Sequence, residues 1–262
     1  LTGIVSTVHA AGSRIAVQIG HGGRKAWAGG EAIVAPSALP FSQESTVPQE
    51  LTVEEIESIV RKFQDAAKRA VKAGYDAVEI HGAHGYLIHQ FISPNSNKRK
   101  DKYGGSAENR IRFPLAVIKA VKSELPETMP LLMRISAVEY VAGGYIFEEM
   151  LEIARAFRDA GVDILNVSTG GASPAAPEVW PGYQLPYAER IKRELQMPVI
   201  GCGLITTGNM AEEAVANERV DLIAVGRGLL ADPHWPLTAA KDLGISGVIP
   251  QPYKRAYPEN IR

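Results

Sequence analysis

The segment Glu79-Ile80-His81-Gly82-Ala83-His84-Gly85-Tyr86-Leu87 sets two histidines three residues apart and a tyrosine two residues further on. Neutral imidazoles can donate two hydrogen bonds to one oxygen, and a phenol can deliver a proton to a nearby carbon. Placed where an apolar run ends, these three polar side chains would point into the mouth of a barrel. Two other readings of the same residues stay open. The histidines could satisfy backbone groups of their own loop, or they could ligate a metal, for which His is the commonest ligand. A metal centre needs a third and a fourth ligand. No compact Asp, His or Glu partner stands at the other strand ends, so no metal is expected.

A second cluster lies later in the chain. Gly201-Cys202-Gly203-Leu204-Ile205 and Val225-Gly226-Arg227-Gly228 each follow a short apolar run. Glycines let backbone amides approach phosphate oxygens, and Arg227 adds charge and a planar fork of donors. Plain turn chemistry is the simpler alternative. Gln18 and Arg134 interrupt the otherwise apolar runs Ala16-Val17-Gln18-Ile19 and Leu132-Met133-Arg134-Ile135. A buried, unpaired arginine is costly, so Arg134 is expected either to be paired or to face a polar ligand. Cys202 reads only as a small residue near a strand end.

The elements that must carry these residues repeat from end to end: apolar run, polar loop, amphipathic helix. Strands are expected at residues 15–19, 77–80, 131–135, 163–167, 199–201 and 222–225. They are continuous rather than alternating, as parallel strands covered on both faces read. Helices are expected at residues 1–10, 53–72, 107–123, 147–160, 187–194, 208–216 and 233–243, the second opened by a Thr52/Glu55 capping box. Lys72-Ala73-Gly74-Tyr75-Asp76 and Asp159-Ala160-Gly161-Val162-Asp163 end a helix at glycine and enter a strand through aspartate, the joint of successive βα units. Six strands are readable where a closed (β/α)8 barrel needs eight. The alternative is an open doubly wound sheet, and the absence of Gly-x-Gly-x-x-Gly after a first strand counts against its dinucleotide-binding version. The long connections, residues 20–51, 81–105 and 168–186, all follow strands, so a barrel would gather them on its catalytic face.

With 28 Lys and Arg against 29 Asp and Glu, the chain carries a formal net charge of -1. That balance gives no general attraction to nucleic acid or anionic membrane. No apolar run approaches the roughly 20 residues that span a bilayer. A single cysteine precludes an internal disulfide and a four-cysteine iron–sulfur cluster. A cytoplasmic setting is expected, and no leader sequence is visible.

The motifs together resemble one family. Val17-Gln18-Ile19-Gly20-His21-Gly22-Gly23-Arg24-Lys25, His81-Gly82-Ala83-His84-Gly85-Tyr86-Leu87 and above all Asp101-Lys102-Tyr103-Gly104-Gly105-Ser106-Ala107-Glu108-Asn109-Arg110 are similar to signature segments of the old yellow enzyme family. The likeness runs on through Arg134, Gly203 and Gly226-Arg227. The closing Pro252-Tyr253-Lys254-Arg255-Ala256-Tyr257 resembles the tail of the thermophilic-like branch of bacterial NADPH dehydrogenases.

The resemblance implies an α/β (β/α)8 TIM barrel that binds FMN noncovalently, takes electrons from NADPH or NADH, and reduces activated C=C bonds of enones or nitroalkenes. Gln18, Arg134, Gly203, Gly226 and Arg227 would bind the cofactor. His81 and His84 would grip the substrate oxygen, Tyr86 would protonate the α-carbon, and Arg255 would reach a neighbouring subunit's site in a homodimer or homotetramer. Residues 1–262 would form one domain with 244–262 as its tail. The family's first strands have no counterpart here, so the barrel is expected to lack about two strands. The alternative function is an inactive barrel fragment or interaction subunit that needs a partner segment.

Overall fold

The computed structural model describes residues 1–26, 32–245, 247 and 249–256. The six apolar runs become parallel strands of one sheet: β1 (Ala16–Ile19), β4 (Ala77–Gly82), β5 (Leu131–Ser136), β6 (Ile164–Ser168), β7 (Val199–Gly201) and β8 (Leu222–Ile223). Their spatial order is β1-β4-β5-β6-β7-β8. Strand order that follows the chain without reversal is the order of a barrel wall, and it excludes the switch point of a doubly wound sheet. Two short strands, β2 (Val34–Ala35) and β3 (Gln49–Glu50), pair in a separate parallel ladder within the connection after β1, which sequence reading treats as plain loop.

The aspartates that open strands, two of them in the glycine–aspartate joints, have a physical function. Asp76, Asp163 and Asp221 each stand just before a strand and accept a hydrogen bond from the backbone of the neighbouring strand's start: Ile15 N at 2.8 Å, Leu131 N at 2.7 Å and Val199 N at 2.8 Å. Each aspartate thus fixes the register between its own strand and the one before it. At Asp76 the bonds from Ile15, His9 and Arg14 hold the carboxyl far below its ordinary range.

Helix α1 (Thr2–Ala10) precedes β1, and α2 (Val53–Ala73) precedes β4. Both halves of the expected capping box form, Glu55 N to Thr52 Oγ1 at 3.2 Å and Thr52 N to Glu55 Oε2 at 2.8 Å. The core lies between the sheet and its helices, where Ile56, Phe63, Phe113, Ile118 and Phe157 are fully or nearly fully buried.

Two expected elements differ from those observed, and one helix forms where a loop is expected. The helix expected over residues 107–123 is two, α4 (Ala107–Arg110) and α5 (Arg112–Lys122), broken at Ile111. Pro114 has no N–H for the Arg110 carbonyl, and its ring clashes with that turn. A helix α3 (Leu87–Ile92) occupies what reads as loop, and β8 pairs only over Leu222–Ile223. The remaining helices, α6 (Phe147–Asp159), α7 (Leu185–Leu195), α8 (Gly208–Ala216), α9 (Arg227–Ala231) and α10 (Trp235–Asp242), follow β5 to β8. Among the described residues no helix is long and apolar enough to cross a membrane.

Candidate active site

Strand β4 runs two residues further than its apolar core, so His81 is paired within the sheet, opposite Arg134 of β5. The chain then turns through His84 (φ 59°) and Gly85 (φ 74°), and Tyr86 caps the start of α3. Two consecutive left-handed residues bring the three candidate side chains back onto one another. His81 lies 5.2 Å from His84 and 4.8 Å from Tyr86 between ring centroids, both edge to face. Lys25 closes the cluster from the β1 side. Its Nζ donates to His84 O at 2.9 Å and stands 5.2 Å over the Tyr86 ring and 4.5 Å over Phe41.

Burial first, and the Arg134 charge second, push the His81 pKa down to about 4 and that of His84 down to about 3. Both rings are therefore neutral at pH 7. Ala83 N donates to His81 Nδ1 at 3.2 Å, so the neutral ring carries its proton on Nε2, where it can serve as a donor. His84 Nε2 lies 2.7 Å from Ser168 Oγ.

A cavity of about 520 Å³ opens beside this cluster at the ends of β5 to β8, with His84, Arg134, Gln184, Gly203, Gly226 and Arg227 in its wall. Five residues from four separate motifs are thus brought to one space, with Gln184 added. Gly203 has φ 111°, and a Cβ there would approach Gln184 N to 3.0 Å, so this turn demands glycine. A Cβ at Gly226 would meet no protein atom. Arg227 is exposed and opens α9. Cys202 is buried, and its Sγ donates to Gln184 Oε1 at 3.0 Å.

His81 and Tyr86 stand beside this wall rather than in it, and two further expected site residues stand apart from both the wall and the cluster. Gln18 is exposed on β1, donating to Glu79 Oε2 at 2.5 Å. Arg255 is exposed on a short 3-10 turn, Gln251–Ala256; the rest of the tail motif, Tyr257, lies outside the described residues. Sequence reading missed Lys25, Ser168 and Gln184. Ser168 ends an apolar strand, and Gln184 precedes a helix, with no local pattern to separate them from ordinary polar ends.

Residues 1–245 match the model of the NADH:flavin oxidoreductase / NADH oxidase family. The chain belongs to that family. It is 46% identical over 254 residues to an NADPH dehydrogenase of Geobacillus thermodenitrificans, covering 97% of this chain and 74% of the relative. It is 48% identical over 258 residues to that of Clostridium acetobutylicum, covering 98% and 76%. Among solved structures, morphinone reductase superposes with a TM-score of 0.76 at 30% identity, over 96% of this chain and 71% of the other. A 2-naphthoyl-CoA reductase complex gives 0.85 at 31%, over 92% of this chain and 40% of the larger one.

The family is one of flavin-dependent oxidoreductases, and the motif resemblance to the old yellow enzymes holds. Its cofactor, FMN, fits what the cavity offers. Arg134 Nε is buried without a hydrogen-bond partner, a donor that the protein itself leaves unanswered. Beside it, Gly203, Gly226 and Arg227 form a wall suited to a phosphate group.

Proposed function

We propose that this protein is an FMN-dependent NAD(P)H oxidoreductase that reduces activated C=C bonds of α,β-unsaturated carbonyl or nitro compounds. The observation that carries the reading is the edge-to-face cluster of His81, His84 and Tyr86, two neutral imidazoles and a phenol beside an arginine whose Nε has no partner. The finer fold in this reading is a (β/α)8 barrel of which β1 to β8 supply six strands. Residues 1–262 would be one domain with 244–262 as tail, in a cytoplasmic homodimer or homotetramer.

Bound in the cavity, FMN supplies a two-electron carrier between NAD(P)H and the alkene. Arg134, Gly203, Gly226 and Arg227 would hold it, with Gln18 at its far edge. His81, protonated on Nε2, and His84 would donate to the substrate oxygen and draw electron density from the alkene. Because both rings are neutral they polarise without surrendering a proton. Tyr86 would then supply the proton to the α-carbon. Lys25, over the Tyr86 ring, keeps the phenol in place. Arg255, absent from the cavity wall of its own chain, would act on a neighbouring subunit's site.

The test separates the two half-reactions by stopped-flow absorbance. In the completed barrel, Tyr86→Phe should leave reduction by NADPH nearly intact and slow reoxidation by cyclohexenone about 10²–10⁴-fold. Slowed reduction with normal reoxidation would remove Tyr86 from the donor role. A His81→Ala/His84→Ala double variant that still bound phenols as tightly as its parent would remove the histidines.

A further inference from the structure

We propose that His89 is a positioning residue for the oxygen-binding site, holding the His84–Gly85 turn from behind in one fixed imidazole tautomer. The proposal rests on the functional reading above for what the turn does, while the tautomer stands on geometry alone.

His84 and Gly85 both adopt left-handed backbone, at φ 59° and 74°, which a non-glycine residue holds only when its surroundings compensate. Both of their N–H groups turn inward to buried side chains. His84 N donates to Ser136 Oγ at 3.0 Å, and Gly85 N donates to His89 Nδ1 at 2.8 Å. The two acceptors are joined to each other. His89 Nε2 lies 2.8 Å from Tyr145 Oη, and Tyr145 Oη donates to Ser136 O at 2.6 Å. Ser136 Oγ in turn donates to Gly170 O at 2.9 Å.

The proton positions follow from what each group can do. A backbone N–H only donates, so Nδ1 is the acceptor and the neutral ring carries its proton on Nε2. The single Tyr145 proton goes to the Ser136 carbonyl, so the phenol oxygen receives the Nε2 proton. One tautomer satisfies every member. Glu139 faces the same nitrogen, with Oε1 3.2 Å from Nε2 but making no hydrogen bond, and Oε2 accepting from Tyr145 N at 3.1 Å. His89 is 1% exposed and is absent from the cavity wall, so it reaches the site only through the turn. On the opposite side Lys25 Nζ binds His84 O. Flipping or removing the His89 ring would free the Gly85 N–H and let His84 swing away from the cavity.

The experiment compares two amides in the FMN-loaded protein. Asn carries an oxygen near the place of Nδ1 and can still accept from Gly85, whereas Gln reaches only the place of Nε2. His89→Asn should bind a phenol such as 4-hydroxybenzaldehyde within about threefold of the parent, and His89→Gln about tenfold or more weaker, the scale of one lost buried hydrogen bond. Equal affinities in the two variants would overturn the proposal. If either variant fails to fold, imidazole ¹⁵N shifts of the parent at pH 7 decide the matter. They should show His89 protonated on Nε2, and a proton on Nδ1 would overturn it. A parent that binds no phenol would refute the functional reading instead, leaving the ¹⁵N result to judge His89.

Discussion

Arg134 carries two expectations that point in opposite directions. Its Nε is enclosed and has no hydrogen-bond partner in the protein, so the apoprotein bears the cost of an unanswered buried donor. Arg134→Leu should leave apoprotein unfolding in urea unchanged or shift it to higher denaturant, while FMN affinity drops by at least about tenfold, the loss of a charge-assisted contact. A variant that lost stability and kept FMN would show that Arg134 serves the fold. The histidines give a pH dependence. Their folded pKa values, about 4 for His81 and about 3 for His84, lie below the ordinary 6.5. Below pH 6.5 the unfolded chain therefore binds more protons than the folded one, and stability falls as the pH drops toward 4 and 3. It is fully present above 6.5. Urea midpoints at pH 7.5, 5.5 and 4.5 should decline in that order, and His81→Asn/His84→Asn should flatten the slope.

At the scale of elements, the site depends on a close approach between the turn after β4 and the loop after β6. A Cβ on Gly85 would come within 2.2 Å of Gly171 O, and one on Gly171 within 2.6 Å of His84 Cα. Gly85→Ala therefore combines a left-handed backbone, worth about 1–2 kcal/mol for a residue with a Cβ, with a clash against backbone that cannot yield. A loss of at least about 2 kcal/mol in chemical denaturation is expected, together with weaker phenol binding. Gly105 offers a control. Its φ is 82° but a Cβ there meets nothing, so Gly105→Ala should cost only the backbone share and spare the ligand.

For the whole molecule, the sheet ends at β1 and β8, and each outer edge lacks a neighbouring strand among the described residues. Apolar side chains are exposed at the β8 end, Leu222 at 54% and Leu230 at 86%, and Gln18, proposed above for the cofactor, faces solvent on β1. Unpaired parallel edges with apolar flanks invite association. The 262 residues by themselves should thus self-associate and bind FMN weakly, as light scattering and flavin titration would show. A monodisperse chain that unfolds cooperatively and saturates with FMN would contradict this. Such a chain would also speak against the reading as a fragment that needs a partner.

The sequence by itself determined the local and periodic features. Apolar runs between glycine–aspartate joints specify parallel βα units, because the aspartate opening one strand is within reach of the backbone amide that starts its neighbour. The Thr52/Glu55 box specifies the start of α2 for the same reason of reach. The motifs carrying His81, His84, Tyr86, Gly203, Gly226 and Arg227 were legible because each sits where an apolar run ends, and Arg134 because it interrupts one. The break at Ile111 was also written locally, in Pro114, but amphipathic periodicity continues through it and hides it. Only the tertiary structure decided what surrounds those residues. Ser168 meets His84 across 84 positions and Tyr145 meets His89 across 56, distances over which no spacing rule operates. The depressed histidine pKa values, the unanswered Arg134 donor and the single tautomer of His89 all follow from burial and from partners on other strands. Those are properties of packing, which a chain acquires only when its strands lie side by side.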